Sequence, residues 1–219
     1  MPTPLITLTF LALLADPVQT TPARALFDGK SLAGWKATDF GGQGEVHIDD
    51  GAIHLDMGGD MTGITLDSPD PIPVMNYEIT LEAKRVLGGD FFCGLTFPVG
   101  KDFCSLIVGG WGGGLVGLSN LDGKDASNNE TSSWRDFENN RWYKIRLRVE
   151  TDRIRAWIDQ VKIVDAKTKD RQIATRPEVK LSRPLGFSTW RTAAALKDIQ
   201  IRPLAPGEAD PKEVPADDP

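Results

Sequence analysis

Basic charge is in short supply in this chain, and that shortage removes one class of partner at the outset. Lys and Arg number 25 against 31 Asp and Glu, for a net charge of -6 and a pI of ≈ 5.0. A DNA or RNA binder needs a basic face, so no nucleic acid partner is expected. An uncharged ligand such as a sugar suits this balance. Apolar runs are missing beyond the first few residues, so no segment is expected to span a membrane. No stretch carries a convincing amphipathic helical period, which argues against helical layers.

Histidine and cysteine each occur only twice. Cys93 and Cys104 flank an expected hairpin, Phe91 to Pro98 and Phe103 to Gly109, with Gly100-Lys101 central to the turn. In that register Cys93 faces Val108, and Cys104 lies two pairs further along the same face. At about 3.3 Å per residue the offset exceeds disulfide reach. Both are read as small core residues, unless a bulge shifts the register. The histidines fall in Gly44 to Leu55, where Asp50-Gly51 is a two-residue turn signal that favours positive φ at both positions. That turn pairs Ile48 with Ile53 on the inner face and His47 with His54 on the other. A cross-strand histidine pair serves as a metal or proton-transfer pair, or simply as a solvated pair; nothing else in the hairpin completes a ligand set.

What is present is one domain with tails. The 219 residues, with 22 Gly and 15 Pro, suffice for a full core. Met1 to Ala15 is apolar and uncharged, too short to span a bilayer and of the length of a signal-peptide core. Residues 1–25 are therefore read as signal peptide and linker, and the protein as secreted or periplasmic. Residues 205–219, rich in Pro and acids, are read as a disordered tail. Between them, residues 26–204 form the domain.

Tyr77 to Lys84 alternates apolar and charged side chains, as does Trp142 to Val149 with Tyr143, Ile145, Leu147 and Val149 inward. Ile154, Ala156 and Ile158 make the next inward set, which turns Trp157 outward among Arg153, Arg155 and Asp159. Leu185 to Trp190 and Ile199 to Ile201 read as closing strands. About a dozen short strands with turn signals between them predict an all-β antiparallel sandwich. One stretch stands out: Gly109 to Thr131 begins with Trp111 among glycines, passes through a short apolar strand and ends in a loop crowded with Asp122, Asp125, Asn128 and Glu130. Such a loop is either a solvated turn or a set of hard-oxygen ligands and acid/base groups.

Leu26-Phe27-Asp28-Gly29-Lys30-Ser31-Leu32-Ala33-Gly34-Trp35 resembles the opening motif of the 3-keto-disaccharide hydrolase domain family. Asp50-Gly51-Ala52-Ile53 is similar to that family's hairpin, and Leu196 to Leu204 to its closing strand. The resemblance implies a concanavalin-like jelly roll of two antiparallel sheets whose concave face binds carbohydrate. It implies hydrolysis of glycosides oxidised at C3. The ketone acidifies the C2 hydrogen, a base removes it as the C1 leaving group departs, and water adds to the enone. The paired carboxylates of oxocarbenium chemistry are not needed, and the Glu-x-Asp-x-x-Glu strand of laminarinase-type glucanases is absent. The chain departs from the family at two strands, with Phe92-Cys93-Gly94-Leu95 in place of an Asn-Ser-Gly-Ile strand and Gly186 to Trp190 in place of a strand ending in Gln-x-His.

On this reading Glu130 or Asp125 is the base, and Asp122 joins the catalytic set, positioning sugar hydroxyls or a divalent cation with Asn128. Asn120, Asn128, Arg146, Trp111, Trp157 and Trp190 are expected to hold sugar. Asp122, Asp125, Asn128 and Glu130 together would suit Ca²⁺ or Mg²⁺ rather than Zn²⁺. The loop is expected to share one surface with Trp190 and the Arg146/Arg148 side of the sheet. Trp35 and Trp142 are assigned to core or edge packing. A non-catalytic carbohydrate-binding module is the alternative, since aromatic platforms stack on the C–H faces of sugar rings. A laminin-G-like adhesion module binding protein is the third reading. The oligomeric state stays open.

Overall fold

The structure is a computed structural model and describes residues 22–213. Two antiparallel sheets face each other. The first contains, in spatial order, β13 (Val161–Lys167), β12 (Arg153–Ile158), β11 (Tyr143–Glu150), β6 (Tyr77–Gly88), β15 (Thr192–Pro203), β4 (Ala52–Leu55) and β3 (Val46–Asp49), with β1 (Arg24–Ala25) added along β15. The second runs β10 (Ser133–Trp134), β9 (Leu115–Ser119), β8 (Asp102–Gly110), β7 (Cys93–Val99), β14 (Gly186–Trp190), β5 (Met61–Leu66) and β2 (Trp35–Ala37). Among the described residues the one helical element is a 3-10 helix, Pro177–Ser182. No helix among them is long and apolar enough to cross a membrane. The expected all-β jelly-roll sandwich is therefore the fold.

Alternation builds the core. Tyr143, Ile145, Leu147 and Val149 point inward from β11, and Ile154, Ala156 and Ile158 from β12, against Leu95, Phe97, Leu106 and Phe187 of the other sheet. The two-residue turn at Asp50-Gly51 has positive φ at both positions, 45° and 72°, and sets Ile48 opposite Ile53 and His47 opposite His54. The two imidazoles stack with centroids 5.2 Å apart. Burial, and then the neighbouring His47, lower the pKa of His54. The opening motif is a closed loop: the Trp35 indole donates to the Leu26 carbonyl at 2.7 Å, and Asp28 accepts from the Lys30 and Ser31 amides at 2.8 Å.

The two sheets differ on their outer faces. Strands β7 and β9 are buried along their whole length, and β8 from Cys104 onward, because the second sheet is covered outside as well as inside. The first sheet presents charge instead. Glu78 is 3% exposed and meets Arg146 at 2.6 Å, Arg148 at 2.7 Å and Arg202 at 3.0 Å. Its burial alone would raise its pKa, but hydrogen bonds from Arg148 and Arg146 outweigh that and hold it low.

Residues 205–213, expected to be disordered, lie along this face. Glu208 pairs with Arg148 at 3.0 Å and Arg202 at 2.6 Å, Asp210 with Arg155, and Glu213 with Lys162 at 3.0 Å. Composition alone predicts a solvated tail; the row of guanidinium groups on alternate strand positions is what fixes it. Trp157 does point outward, yet it is 1% exposed, flanked by Arg148 and Arg155 and closed over by the tail. The segment before residue 22, and with it the signal-peptide expectation, lies outside the described residues.

Two predictions follow from this packing. Cys93 pairs with Val108 and both thiols are free and buried, with burial raising each pKa to about 12. Alkylation under native conditions should leave the intact mass unchanged, and alkylation in denaturant should add two groups; a mass showing a disulfide refutes the register. The hydrogen bonds from Arg202 depress Glu208 to about 2 from its ordinary 4.5, so the stability it confers on the tail is present above pH 4.5 and is lost as pH falls towards 2. Trp157 emission, isolated by comparison with Trp157→Phe, should shift to the red across that window and in a chain truncated after Leu204. An unshifted spectrum in both cases rules out the strap.

Candidate functional site

The outer face of the second sheet is assembled from rows of small and hydroxylated residues. Thr65, Gly186, Thr96, Ser105 and Ser119 form one row across five strands. Gly63, Ser188, Gly94, Ile107 and Gly117 form the next. Short side chains let other segments lie directly on the sheet. A Cβ at Gly117 would come within 3.0 Å of the Ala126 carbonyl, so the loop after β9 can cross there only over glycine. Met61, Phe91, Ile107, Leu115, Ala126 and Val179 form a second apolar cluster on this side, with Phe40 and Trp190 against it.

Within this face lies a cavity of ≈ 240 Å³. Ile107, Val179, Met61 and Phe91 give it apolar walls, Ser105 and Ser119 contribute hydroxyls, and Trp111 and Trp190 flank it. Three charged side chains line it: Asp90, Arg176 and Glu178. Arg176 donates to Glu178 Oε1 at 2.8 Å and to Asp125 Oδ2 at 3.1 Å. The hydrogen bond from Arg176 holds the Glu178 carboxyl below the usual range. Asp90 anchors the cavity wall, its Oδ1 accepting the Phe91 amide at 2.7 Å and its own amide donating to Thr192. An ionised carboxylate beside a guanidinium suits proton acceptance and the binding of polarised oxygens.

The hairpin between β8 and β9 brings Trp111 to this site. Trp111 sits in the left-handed region at φ 48° and is 39% exposed. Arg85 holds the hairpin from beneath. It is 8% exposed and has no carboxylate in ion-pair reach among the described residues. Its guanidinium donates instead to the Gly113 carbonyl at 3.1 Å, the Phe137 carbonyl at 2.5 Å and Asn139 at 2.6 Å.

The acidic loop is arranged differently from its expectation. Asp122-Gly123 is a tight turn with positive φ at both residues, closed by reciprocal hydrogen bonds between Leu121 and Lys124. Arg171 bridges Asp122 at 2.6 Å and Glu130 at 2.5 Å, both half exposed and away from the cavity lining. The Gln172 amide, first, and Arg171 lower the pKa of Asp122, and the Arg171 hydrogen bond lowers that of Glu130. Burial would raise Asp125, but hydrogen bonds from Ser127 and Asn128 keep it low. Among the described residues no three His, Cys, Asp or Glu groups converge as a cation site. The carboxylates of the loop face the guanidinium groups of Arg171 and Arg176.

Of the residues expected from sequence, Trp111 and Trp190 line the cavity and Asp125 borders it through Arg176. Asn120 accepts from the Ser119 hydroxyl at 2.7 Å beside the cavity, whereas Asn128 only caps the turn at Asp125. Arg146 and Trp157 are displaced from the expectation. Alternation does turn them outward, but on the first sheet, so they cannot share a surface with Trp190. The histidine pair lies on that sheet too. Arg176, Glu178 and Asp90 were not legible as site residues, since they sit in loops and a short 3-10 helix without period. Asn129, passed over in favour of Asn128, organises the loop. It is 8% exposed and donates to the Leu118, Lys124 and Asp125 carbonyls while accepting from the Thr131 amide and hydroxyl.

A family model described as 3-keto-alpha-glucoside-1,2-lyase-like domain matches residues 22–202. A comparison with curated proteins finds no match. Among solved structures, the chain is similar to the carbohydrate-binding module CBM66 from Bacillus subtilis, at 14% identity and a TM-score of 0.51 over 76% of this chain and 93% of that one. The apo Crh5 transglycosylase aligns at 13% identity and a TM-score of 0.58, over 86% of each chain. A protein of unknown function with a galectin-like fold from Bacillus subtilis aligns at 11% identity and 0.58, over 83% and 94%. At these identities the likenesses speak to the fold alone.

Asn129→Ala should cost about 2–3 kcal/mol in denaturant unfolding, because it strands several buried polar groups at once. Glu130→Ala should change stability by less than about 0.5 kcal/mol. Equal effects from the two substitutions would contradict this division of labour within the loop.

Proposed function

The chain belongs to the 3-keto-alpha-glucoside-1,2-lyase-like domain family, and from that premise we propose that it is a carbohydrate-active enzyme whose cavity on the second sheet cleaves 3-keto-glycosides. The observation carrying the proposal is the pairing of Glu178 with Arg176 inside a cavity flanked by Trp111 and Trp190. Indole faces stack on the apolar faces of sugar rings, and Ser105 and Ser119 supply hydroxyls for the sugar's own. Arg176 polarises the C3 ketone oxygen. Glu178 then accepts the C2 proton. The electron pair of the C2–H bond forms the C1=C2 double bond, the C1–O bond breaks, and the leaving oxygen takes a proton. Addition of water across the enone completes hydrolysis. The proton taken up by Glu178 is the one available to return to the leaving oxygen, and Asp90 is the other carboxylate of the lining. Export of the chain, read from the apolar run before residue 22, belongs to the same proposal.

A second reading is favoured by the tryptophans themselves: a binding module uses the same aromatic walls without turnover. Release of the aglycone from 3-keto-α-glucosides separates the two. Glu178→Gln is expected to lower kcat by roughly 10²–10⁴ while sugar binding persists. Because Arg176 keeps Glu178 ionised below the ordinary 4.5, the acid limb of kcat/KM should fall below pH 4.5. Undiminished turnover in Glu178→Gln removes it as the base, and sugar binding without any turnover in the unsubstituted protein leaves the binding module.

A further inference from the structure

We propose that Trp134 forms an outer sugar-stacking subsite, so that the ligand of the cavity is an oligosaccharide running across the strands from Trp190, past Trp111, to the β10 edge. The inference rests on the carbohydrate reading above and adds length and direction to it.

Trp134 is the most exposed large hydrophobic side chain among the described residues, at 63%. Its register places it on the cavity's side of the sheet. It pairs with Leu115, which belongs to the same outer cluster as Phe91 and Ile107, and Leu115 pairs in turn with Gly110. One apolar row therefore leads from the sheet edge to the cavity wall. From β10 to β14 is four strand spacings, roughly 19 Å, which is longer than a disaccharide.

The indole is also held in place. Gly114 packs against it, and a Cβ built there would come within 2.4 Å of the indole. The Arg135 amide donates to the Gly114 carbonyl at 2.9 Å, locking β10 to the hairpin. The indole thus packs against backbone while the residue stays 63% exposed, which suits a stacking platform.

Arg85 supplies an independent observation. A buried cation answered only by neutral acceptors is costly. Its three acceptors lie on the two segments that carry these tryptophans: Gly113, in the turn after Trp111, and Phe137 and Asn139, just beyond Trp134. Clamping both segments to β6 fixes Trp111 and Trp134 relative to each other before any ligand arrives.

Calorimetric titration of the full chain with maltose through maltohexaose, and with cellobiose through cellohexaose, tests the subsite. Affinity should rise with chain length in one series, and Trp134→Ala should lose about tenfold for the longest member while leaving the disaccharide unchanged. Trp134→Phe should restore most of that loss. Disaccharide binding with no gain from added units, or a gain that survives Trp134→Ala, overturns the subsite and leaves the cavity's function standing. A change in sedimentation of Trp134→Ala with length dependence intact overturns it in favour of a contact between copies. Failure of every sugar to bind, in a chain that still releases the aglycone from a 3-keto-α-glucoside, overturns the subsite alone, whereas failure of both binding and turnover in a chain of normal thermal stability overturns the carbohydrate reading and the subsite with it.

Discussion

The buried guanidinium of Arg85 is the interaction on which the functional end of the sandwich depends. It extends from β6, one of the two twelve-residue strands of the first sheet, and reaches the second sheet's hairpin and the segment after β10. Loops on β-sandwiches are ordinarily the most mobile parts. Here the glycines around Trp111 would make the hairpin more mobile still, and they are tolerated because one cation ties the carbonyls down. Glycine is required for a separate reason: Gly114 leaves the space in which the Trp134 indole rests. Flexibility in sequence and rigidity in structure are thus reconciled through a single side chain.

Electrostatics divides the molecule in two. On the first sheet, Glu78 and the tail acids face a row of arginines, and the aromatic Trp157 lies nearly buried beneath them. On the second sheet three charged side chains line the cavity, with Arg176 shared between Asp125 and Glu178. Both arrangements set carboxylates against guanidinium groups. The Arg176–Glu178 pair faces a mostly apolar cavity flanked by two tryptophans, whereas the Glu78 pairs sit among further charges.

Much of the fold was legible because its causes are local. The Asp50-Gly51 turn dictates the His47–His54 register, and the Gly100-Lys101 turn dictates that Cys93 faces Val108, far from Cys104. Alternation in β11 and β12 assigns every inward residue. The opening motif up to Trp35 is recognisable for the same reason: Asp28 and Trp35 each bond to backbone within ten residues.

The site was less legible. A crowd of oxygens from Asp122 to Glu130 has the same composition whether it binds a ligand or folds back on itself, and only Arg171, some forty residues later, decides the matter. Likewise Trp157 and Trp190 both alternate outward, yet one is 1% exposed beneath the tail and the other flanks an apolar cavity on the opposite sheet. By itself the sequence determined the strand class, the two tight turns, the inward faces and the family, all set by neighbours a few positions apart. Which outward face became a site was decided by tertiary structure alone, because it depends on what crosses the sheet from distant segments: the 3-10 helix bearing Glu178, the hairpin held by Arg85, and the acidic tail on the opposite side.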